Sequence, residues 1–416
     1  MEEKKMSNQK TLSRRNFIKT AAAAGIGSAL ATAESIAGTN KANSHSAKGP
    51  NIVPTRPFGK TGRQVSMLSL GGIIDFTQNQ LLLRQALKMG VTYWDTAERY
   101  GYGNSEAGIG KYFAKYPMDR KKVFLVTKSG STNPTILTKD LDASLARLQT
   151  SYVDLYFIHM LRSVERGLNN EIRRWAEKAK AEGKIKLFGF STHSGMEESL
   201  LKASKIKWID GIMTTYNYRL MHTPAMRRGI DACVDAGIGL CAMKTQASSA
   251  WGPMGEETPT AQKLVDTFTN KGYSLAQAKL KAVWENPNIA SICSQMSNLT
   301  VLMANVAAAV DKTRLAQHEI KMLDRLAHVT RSQYCAGCSE ICGSVVAENI
   351  PVADIMRYLM YARRYDDTDR GQRLFNRLDV KTRQLVTSVD YQAAEKACPR
   401  DLPIGRLMKK AAKMFV

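Results

Sequence analysis

Four side chains in the first half of the chain could together donate a proton to a carbonyl oxygen. Asp95 opens Asp-Thr-Ala-Glu-Arg-Tyr-Gly, which brings Tyr100 five residues later; Lys128 closes Val-Phe-Leu-Val-Thr-Lys and His159 closes Asp-Leu-Tyr-Phe-Ile-His. A phenol supplies the proton, an ammonium group beside it lowers its pKa, a carboxylate holds the ammonium, and an imidazole orients the carbonyl. Singly, each has an ordinary reading: a lysine at a strand end is usually a solvated charge, and a lone histidine after an apolar run is usually structural. What joins them is their common position at the ends of successive apolar runs.

A second set lies near the C-terminus. Cys335, Cys338 and Cys342 follow a C-x2-C-x3-C spacing, and Cys398 comes much later, directly before Pro399. Four thiolates with a proline after the last are what a cubane cluster needs. Structural zinc accepts four thiolates too, and an oxidising compartment allows disulfides. Zinc sites more often pair two C-x2-C knuckles, so the pattern favours one [4Fe–4S] cluster held by these four residues. The other three cysteines, Cys233, Cys241 and Cys293, sit singly in apolar segments and read as small core residues.

The elements that would carry the first set are short β-branched runs alternating with longer amphipathic ones, the pattern of parallel strands with crossover helices. Strands are predicted at Met67–Leu70, Thr92–Asp95, Val123–Thr127, Val153–Ile158, Ile185–Ser191, Gly211–Thr215, Gly239–Met243 and Ile289–Cys293. Helices are predicted at Asn79–Met89, Leu137–Leu148, Asn170–Glu182 and Ser274–Glu285. Eight such units in a chain of 416 residues point to a closed (β/α)8 barrel, with chemistry at the C-terminal ends of its strands. Phe58-Gly59-Lys60-Thr61-Gly62 ahead of the first strand reads as a hairpin turn. The organisation expected is a leader over 1–33, a linker over 34–54, the barrel over 55–315 and a mostly helical cluster-binding extension over 316–416.

The leader carries Ser13-Arg14-Arg15-Asn16-Phe17-Ile18-Lys19, then a mild Ala/Gly-rich run from Ala21 to Ala33 ending in Ala31-Thr32-Ala33, with Ala37 a second cleavage candidate. This is a twin-arginine export pattern, too short and weakly apolar to span a membrane. An exported, periplasmic protein is expected. A cluster built in the cytoplasm would need an exporter of folded proteins. The formal charge of +23 favours anionic partners: a membrane surface, an acidic redox protein or an anionic substrate. The basic residues are scattered, without a tract interleaved with aromatics, which argues against nucleic acid. Between Gly343 and Ala397 the pattern is helical, with Arg357, Arg363, Arg364, Arg370, Arg373 and Arg377 along it. They read as solvated helix faces, or as a docking surface for an acidic redox partner.

From about Thr55 to Ala309 the chain resembles the aldo-keto reductase superfamily. Phe-Gly-Lys-Thr-Gly-Arg-Gln-Val-Ser, the Asp-Thr-Ala-x-x-Tyr-Gly signature, and the lysine and histidine strand ends fall in family order. The resemblance implies Tyr100 as general acid, Lys128 and Asp95 as its tuning partners, and His159 as the group that positions the substrate carbonyl. It also implies NADP(H), or NAD(H), bound at the strand ends without a Gly-rich turn. Ser191 and His193 fall where the family uses a polar pair near the carboxamide, Tyr216-Asn217 matches its Tyr-Asn, and Lys244, Ser294, Asn298 and Asn305 complete the cofactor candidates. Met213 replaces the usual Gln, Gln295 an expected Gly and Ala304 an expected Glu, so the match weakens there. The cysteine tail resembles a ferredoxin-like extension found in a subgroup of the family. Its third cysteine is displaced by one residue, and Ser388, Tyr391 and Ala394 stand where a second cluster's cysteines would fall. The function expected is interconversion of a small carbonyl and an alcohol. The alternatives are a redox protein fed by a quinone or a protein partner, and a barrel used for binding alone. Substrate choice falls to loops such as Gln246–Thr260, with Trp251.

Overall fold

The computed structural model of the protein describes residues 52–247, 259–364 and 367–415. The twin-arginine leader and nearly all of the linker lie outside the described residues, as do Trp251 with its neighbours and the pair Tyr365-Asp366. A small antiparallel hairpin, β1 (Thr55–Pro57) and β2 (Gln64–Ser66), comes first. Eight parallel strands follow: β3 (Leu68–Gly71), β4 (Tyr93–Asp95), β5 (Phe124–Ser129), β6 (Val153–Ile158), β7 (Ile185–Thr192), β8 (Gly211–Thr215), β9 (Gly239–Met243) and β10 (Ile289–Ser294). They close in sequence order, β10 pairing with both β9 and β3. The predicted (β/α)8 barrel is the fold observed, and each predicted strand appears within two residues of its expected bounds.

Side chains alternate between two cores, as a pleated strand requires. Val126, Leu155, Phe157, Leu187, Met213 and Cys241 fill the barrel, plugged by Phe58 of the hairpin. Leu70, Trp94, Leu125, Tyr156, Phe188 and Leu240 point outward to the helices. The crossover helices begin where the sequence supplies a cap. Asn133 and Asn169 each accept two amide hydrogen bonds at the starts of Pro134–Leu148 and Asn170–Ala181, and Ser274 forms a capping box before Leu275–Trp284.

The helix Gln317–Val329 places Leu323 and Leu326 in the barrel's outer core, so barrel packing continues past residue 315. Beyond it the tail has its own core, in which Ile355, Met356 and Leu359 of the helix Val352–Arg364 meet Phe375, Tyr391, Leu407, Met408 and Phe415. The helix Ile404–Phe415 closes this core. No helix among the described residues is long and apolar enough to cross a membrane.

Candidate active site

Parallel pairing places Asp95, Lys128 and His159 at the C-terminal ends of three neighbouring strands, stepped along them: Asp95 is level with Val126, two residues before Lys128, and Lys128 is level with Phe157, two before His159. Lys128 is fully buried and its Nζ donates to Asp95 Oδ1 at 2.6 Å and to the Thr96 carbonyl at 2.7 Å. Burial alone would push the Lys128 ammonium down, but Asp95 outweighs it and the pKa stands above the ordinary lysine value. The same ammonium lies 5.1 Å from the centre of the Tyr100 ring. Tyr100 leads a tight turn over Tyr100–Gly103, and its hydroxyl is 3.4 Å from His159 Nε2 with the rings edge-on. The four residues singled out from the sequence therefore come together.

The loop between Asp95 and Ser105 is braced from beneath. Thr96 Oγ1 bonds Ser105 Oγ at 2.7 Å, and Ser105 donates to the Gly72 carbonyl. Gly72 must be glycine, since a Cβ there would stand 2.2 Å from the Asp95 carbonyl oxygen. Fully buried Glu106 accepts from Thr127 and Arg147. These contacts fix where the phenol points.

Burial raises the Tyr100 phenol to about 12, against the pull of Lys128 and of a more distant cation, Arg370. It is protonated at neutral pH, the state a proton donor needs. His159 is held well below the usual imidazole range by burial, Lys128, Arg370 and Arg99, so its ring is neutral. A neutral ring and a protonated phenol, both reaching one point, can hold a carbonyl oxygen and deliver a proton to it.

The cofactor candidates divide into two groups. Ser191 Oγ accepts from the Met160 amide and so fixes the turn after His159, where Met160 itself takes φ +58°. His193 is buried, its Nδ1 is 3.4 Å from Thr215 Oγ1, and burial with Arg357 and Lys244 depresses its pKa strongly. Lys244 follows β9 at φ +59°, and its Nζ lies 5.0 Å from the Tyr361 ring centre. Burial and the cations Arg357 and Arg370 hold its ammonium well below the lysine range. These three gather at the barrel mouth.

The others are engaged elsewhere. Tyr216 sits in the outer core and accepts from Asn286 at 3.0 Å, so its ring is not at the mouth. Asn298 caps the helix Leu299–Val310 through the Val301 amide, and Asn305 donates to Ser294 Oγ at 3.0 Å. Asn217, next to Tyr216, is the residue that reaches the mouth, donating to the Lys244 carbonyl and to Tyr334 Oη. Cys293, read as a core residue, is only partly buried and packs against the barrel's inner core.

The tail contributes what sequence reasoning missed. Arg357 is buried and donates to the His193 carbonyl, Arg373 Nη1 donates to Tyr102 Oη at 2.5 Å, and the Arg370 guanidinium packs 4.2 Å from the Tyr361 ring centre. Of the arginines read as solvated helix faces or a docking surface, Arg357 and Arg373 thus reach barrel residues, Arg373 while staying exposed. Helical spacing identified their faces but gave no sign of a partner surface.

Cys335, Cys338, Cys342 and Cys398 line one cavity, together with Ile341, Val352, Leu402 and Ile404. All are free thiols. Burial raises Cys335 and Cys342 to about 11 and Cys338 to about 12, the neighbouring thiols adding to the rise. Among the described residues no three His, Cys, Asp or Glu side chains are grouped closely enough to hold a metal ion.

Comparison with known proteins adds the following. The sequence profile of the aldo/keto reductase family matches residues 67–328. The NADP(+) aldo-keto reductase yakc of Schizosaccharomyces pombe is 30% identical over 181 residues, which cover 41% of this chain and 51% of that protein. The matched stretch thus spans about half of that relative's length. L-galactose dehydrogenase of Arabidopsis thaliana is 23% identical over 292 residues, covering 64% of this chain and 91% of that protein. Among solved structures, the thermostable aldo-keto reductase Tm1743, in complex with the inhibitor epalrestat, aligns with a TM-score of 0.53 at 26% identity, covering 66% of this chain and all of that one. AKR11C1 of Bacillus halodurans aligns with a TM-score of 0.57 at 22% identity, over 69% of this chain and 98% of that one, a likeness of fold.

Proposed function

The chain belongs to the aldo/keto reductase family, and from that premise we propose that it is an exported NADP(H)-dependent reductase of small carbonyl compounds whose tail holds one [4Fe–4S] cluster. The observation that carries the reaction is the 3.4 Å approach of Tyr100 Oη to His159 Nε2 above the Lys128–Asp95 pair. A substrate oxygen placed beside both atoms takes a hydrogen bond from each. The phenol proton passes to it as negative charge develops, and Lys128 stabilises the phenolate left behind. Asp95 keeps Lys128 charged and aimed. In the reverse direction the phenol must first lose its proton, which burial opposes.

NADP(H), when bound, supplies the hydride to the carbonyl carbon. The residues fit such a group at the mouth. His193 and Lys244 stand there beside Arg357, and such a basic surround suits an anionic ligand. Ser191, His193 and Lys244 would hold it, with Asn217 ordering the Lys244 turn. Ser294, Asn298 and Asn305 act by shaping the amino end of the helix Leu299–Val310, whose free amides favour phosphate.

For the tail, the fit rests on the donors themselves. Cys335, Cys338 and Cys342, whose thiols are raised by burial and by their neighbours, join Cys398 as a thiolate set only when a metal's positive charge is added. Spread around a cavity rather than converging on one point, they suit a multi-iron cluster better than a single zinc ion. A bound cluster would add one-electron capacity or rigidity at that place. Export rests on the Ser13–Lys19 motif and the Ala31-Thr32-Ala33 site.

Titrating the anaerobically purified chain with NADPH and NADH, followed by tryptophan fluorescence, tests the cofactor. Micromolar binding of either is the expected result. Tyr100→Phe should keep that binding and lose roughly 100-fold or more in carbonyl turnover. Undiminished turnover would remove Tyr100 from the mechanism. Absence of nicotinamide binding with the iron intact would favour the partner-fed redox protein.

A further inference from the structure

The turn after β9 is held in a conformation its residues do not favour. Lys244 stands at φ +59° and Ala247 at φ +44°, both in the left-handed region that residues with side chains seldom enter. Such backbone persists where its surroundings over-determine it, and it gathers at ligand-binding segments. Here the hold comes from one short stretch. Asn217 Nδ2 donates to the Lys244 carbonyl at 3.2 Å, and Arg219 Nε donates to the Ala247 carbonyl at 3.0 Å. Asn217 Oδ1 in turn accepts from the Arg219 amide at 3.0 Å, so the two braces form one unit.

That unit is clamped from the extension. Asn217 Nδ2 also donates to Tyr334 Oη at 3.0 Å. A side-chain amide has two such protons, and with both committed the Asn217 group keeps a single orientation. Both residues are buried, so water does not offer a ready substitute for the lost partner. Arg219 lays its guanidinium 5.3 Å from the centre of the Tyr334 ring and reaches the Ala327 and Thr330 carbonyls at 3.4 Å. From a later point in the chain, Arg400 donates to the Arg219 carbonyl at 2.9 Å. Tyr334 directly precedes Cys335, and Arg400 follows Cys398 by two residues. Both ends of the cysteine set therefore bear on residues 217–219.

We propose that Tyr334 is a positioning residue for the nicotinamide site: its hydroxyl, acting from the extension through Asn217, sets the Lys244 turn against which the nucleotide binds. The inference rests on the reading of that turn as part of the nucleotide site. It goes further in making the site incomplete without a residue outside the 67–328 stretch that matches the family. Removing the hydroxyl idles one Asn217 proton in a buried place and frees the amide to rotate away from the Lys244 carbonyl. The strained turn then spends part of its time in other conformations, and its ligand is held more weakly by that fraction.

The full chain, purified anaerobically, is titrated calorimetrically with NADPH, which gives the dissociation constant and the fraction of chains able to bind as separate quantities. In Tyr334→Phe, which keeps the ring beside Arg219, the dissociation constant should rise roughly three- to tenfold at an unchanged binding fraction. Asn217→Ala should raise it at least as much; if that variant does not fold, Asn217→Leu keeps more of the volume and takes its place. In the double variant the rise should match the Asn217 replacement alone to within about twofold, because Tyr334 acts through Asn217. Effects that add in full overturn the proposal, as does an unchanged dissociation constant in Tyr334→Phe. A binding fraction that falls while the constant holds shows Tyr334 to be structural only, and overturns it too. Each of these failures leaves NADPH bound by the wild-type chain. A wild-type chain that does not bind NADPH removes the nicotinamide reading itself, and the proposal with it.

Discussion

Arg357, on the tail helix Val352–Arg364, donates a hydrogen bond to the main-chain carbonyl of His193 at the end of β7. A residue of the extension thereby completes the backbone of the barrel mouth. Gly337 does so from the other side: it accepts from the Gly195 amide at 2.8 Å, and a Cβ on it would lie 2.5 Å from the same His193 oxygen. Gly337 stands between Cys335 and Cys338 at φ +78°, so the cysteine loop and the His193 side of the site share one patch of backbone.

Breaking the first of these contacts should therefore be felt at the site as well as in stability. Arg357→Met strands a buried carbonyl and should cost about 1–3 kcal/mol of unfolding free energy. Measured by urea denaturation and by NADPH titration of the same sample, both quantities should fall together. A loss of stability with cofactor affinity unchanged would mean that the tail leans on the barrel without shaping the site.

The Asp95–Lys128 pair allows a charge cycle. Asp95→Ala leaves a buried ammonium without its partner and should destabilise the fold by about 3–5 kcal/mol. The double replacement Asp95→Asn with Lys128→Met removes both charges and should recover most of that in thermal melts, while carbonyl turnover stays lost in both. Turnover that returns with stability would show the pair to be structural only.

Much of this was legible in the sequence. Asp95, Lys128 and His159 could be placed together because eight alternating strand and helix units imply a closed parallel barrel in sequence order, which brings the C-terminal ends of successive strands to one face without knowledge of side-chain contacts. Tyr216 shows the limit. It follows β8 as the family pattern requires, yet its ring lies in the outer core against Asn286 while Asn217 takes the mouth. Which of two adjacent residues faces inward past a strand's last ladder bond depends on the turn, and composition does not encode it. The contacts of Arg357 and Arg373 with the barrel were hidden for a related reason. A helix pattern marks the face of a helix, and only tertiary packing decides whether that face meets water or another element.

Acid should weaken the native state through its histidines. His193 is kept far below the usual imidazole value by burial first, then by Arg357 and Lys244, whereas in the unfolded chain it titrates near about 6.5. Below that value the unfolded state binds a proton that the native state refuses. The contribution of His193 is thus complete above pH of about 6.5 and declines as pH falls, by about 1.4 kcal/mol per unit. His159, depressed in the same direction, adds to the slope. Unfolding free energies at a series of pH values from 7.5 to 5 should show the decline, and His193→Gln should flatten it. An unaltered slope in that variant would place the acid sensitivity elsewhere.

The cysteine cavity makes a prediction that separates its two metals. Cys342 and Cys398 belong to the tail core alongside Ile355, Leu402 and Met408, so the bound group would be part of that core's packing. Elemental analysis of the anaerobically purified chain should return about four irons per molecule, with inorganic sulfide and negligible zinc. Cys342→Ser should lose the brown colour and most of the iron. The docking of Gly337 and Arg357 on His193 adds a second expectation: NADPH affinity should drop in the same variant, although Cys342 packs in the tail core. Zinc in place of iron would end the cluster assignment. Iron lost with NADPH affinity retained would confine the cluster's influence to the tail.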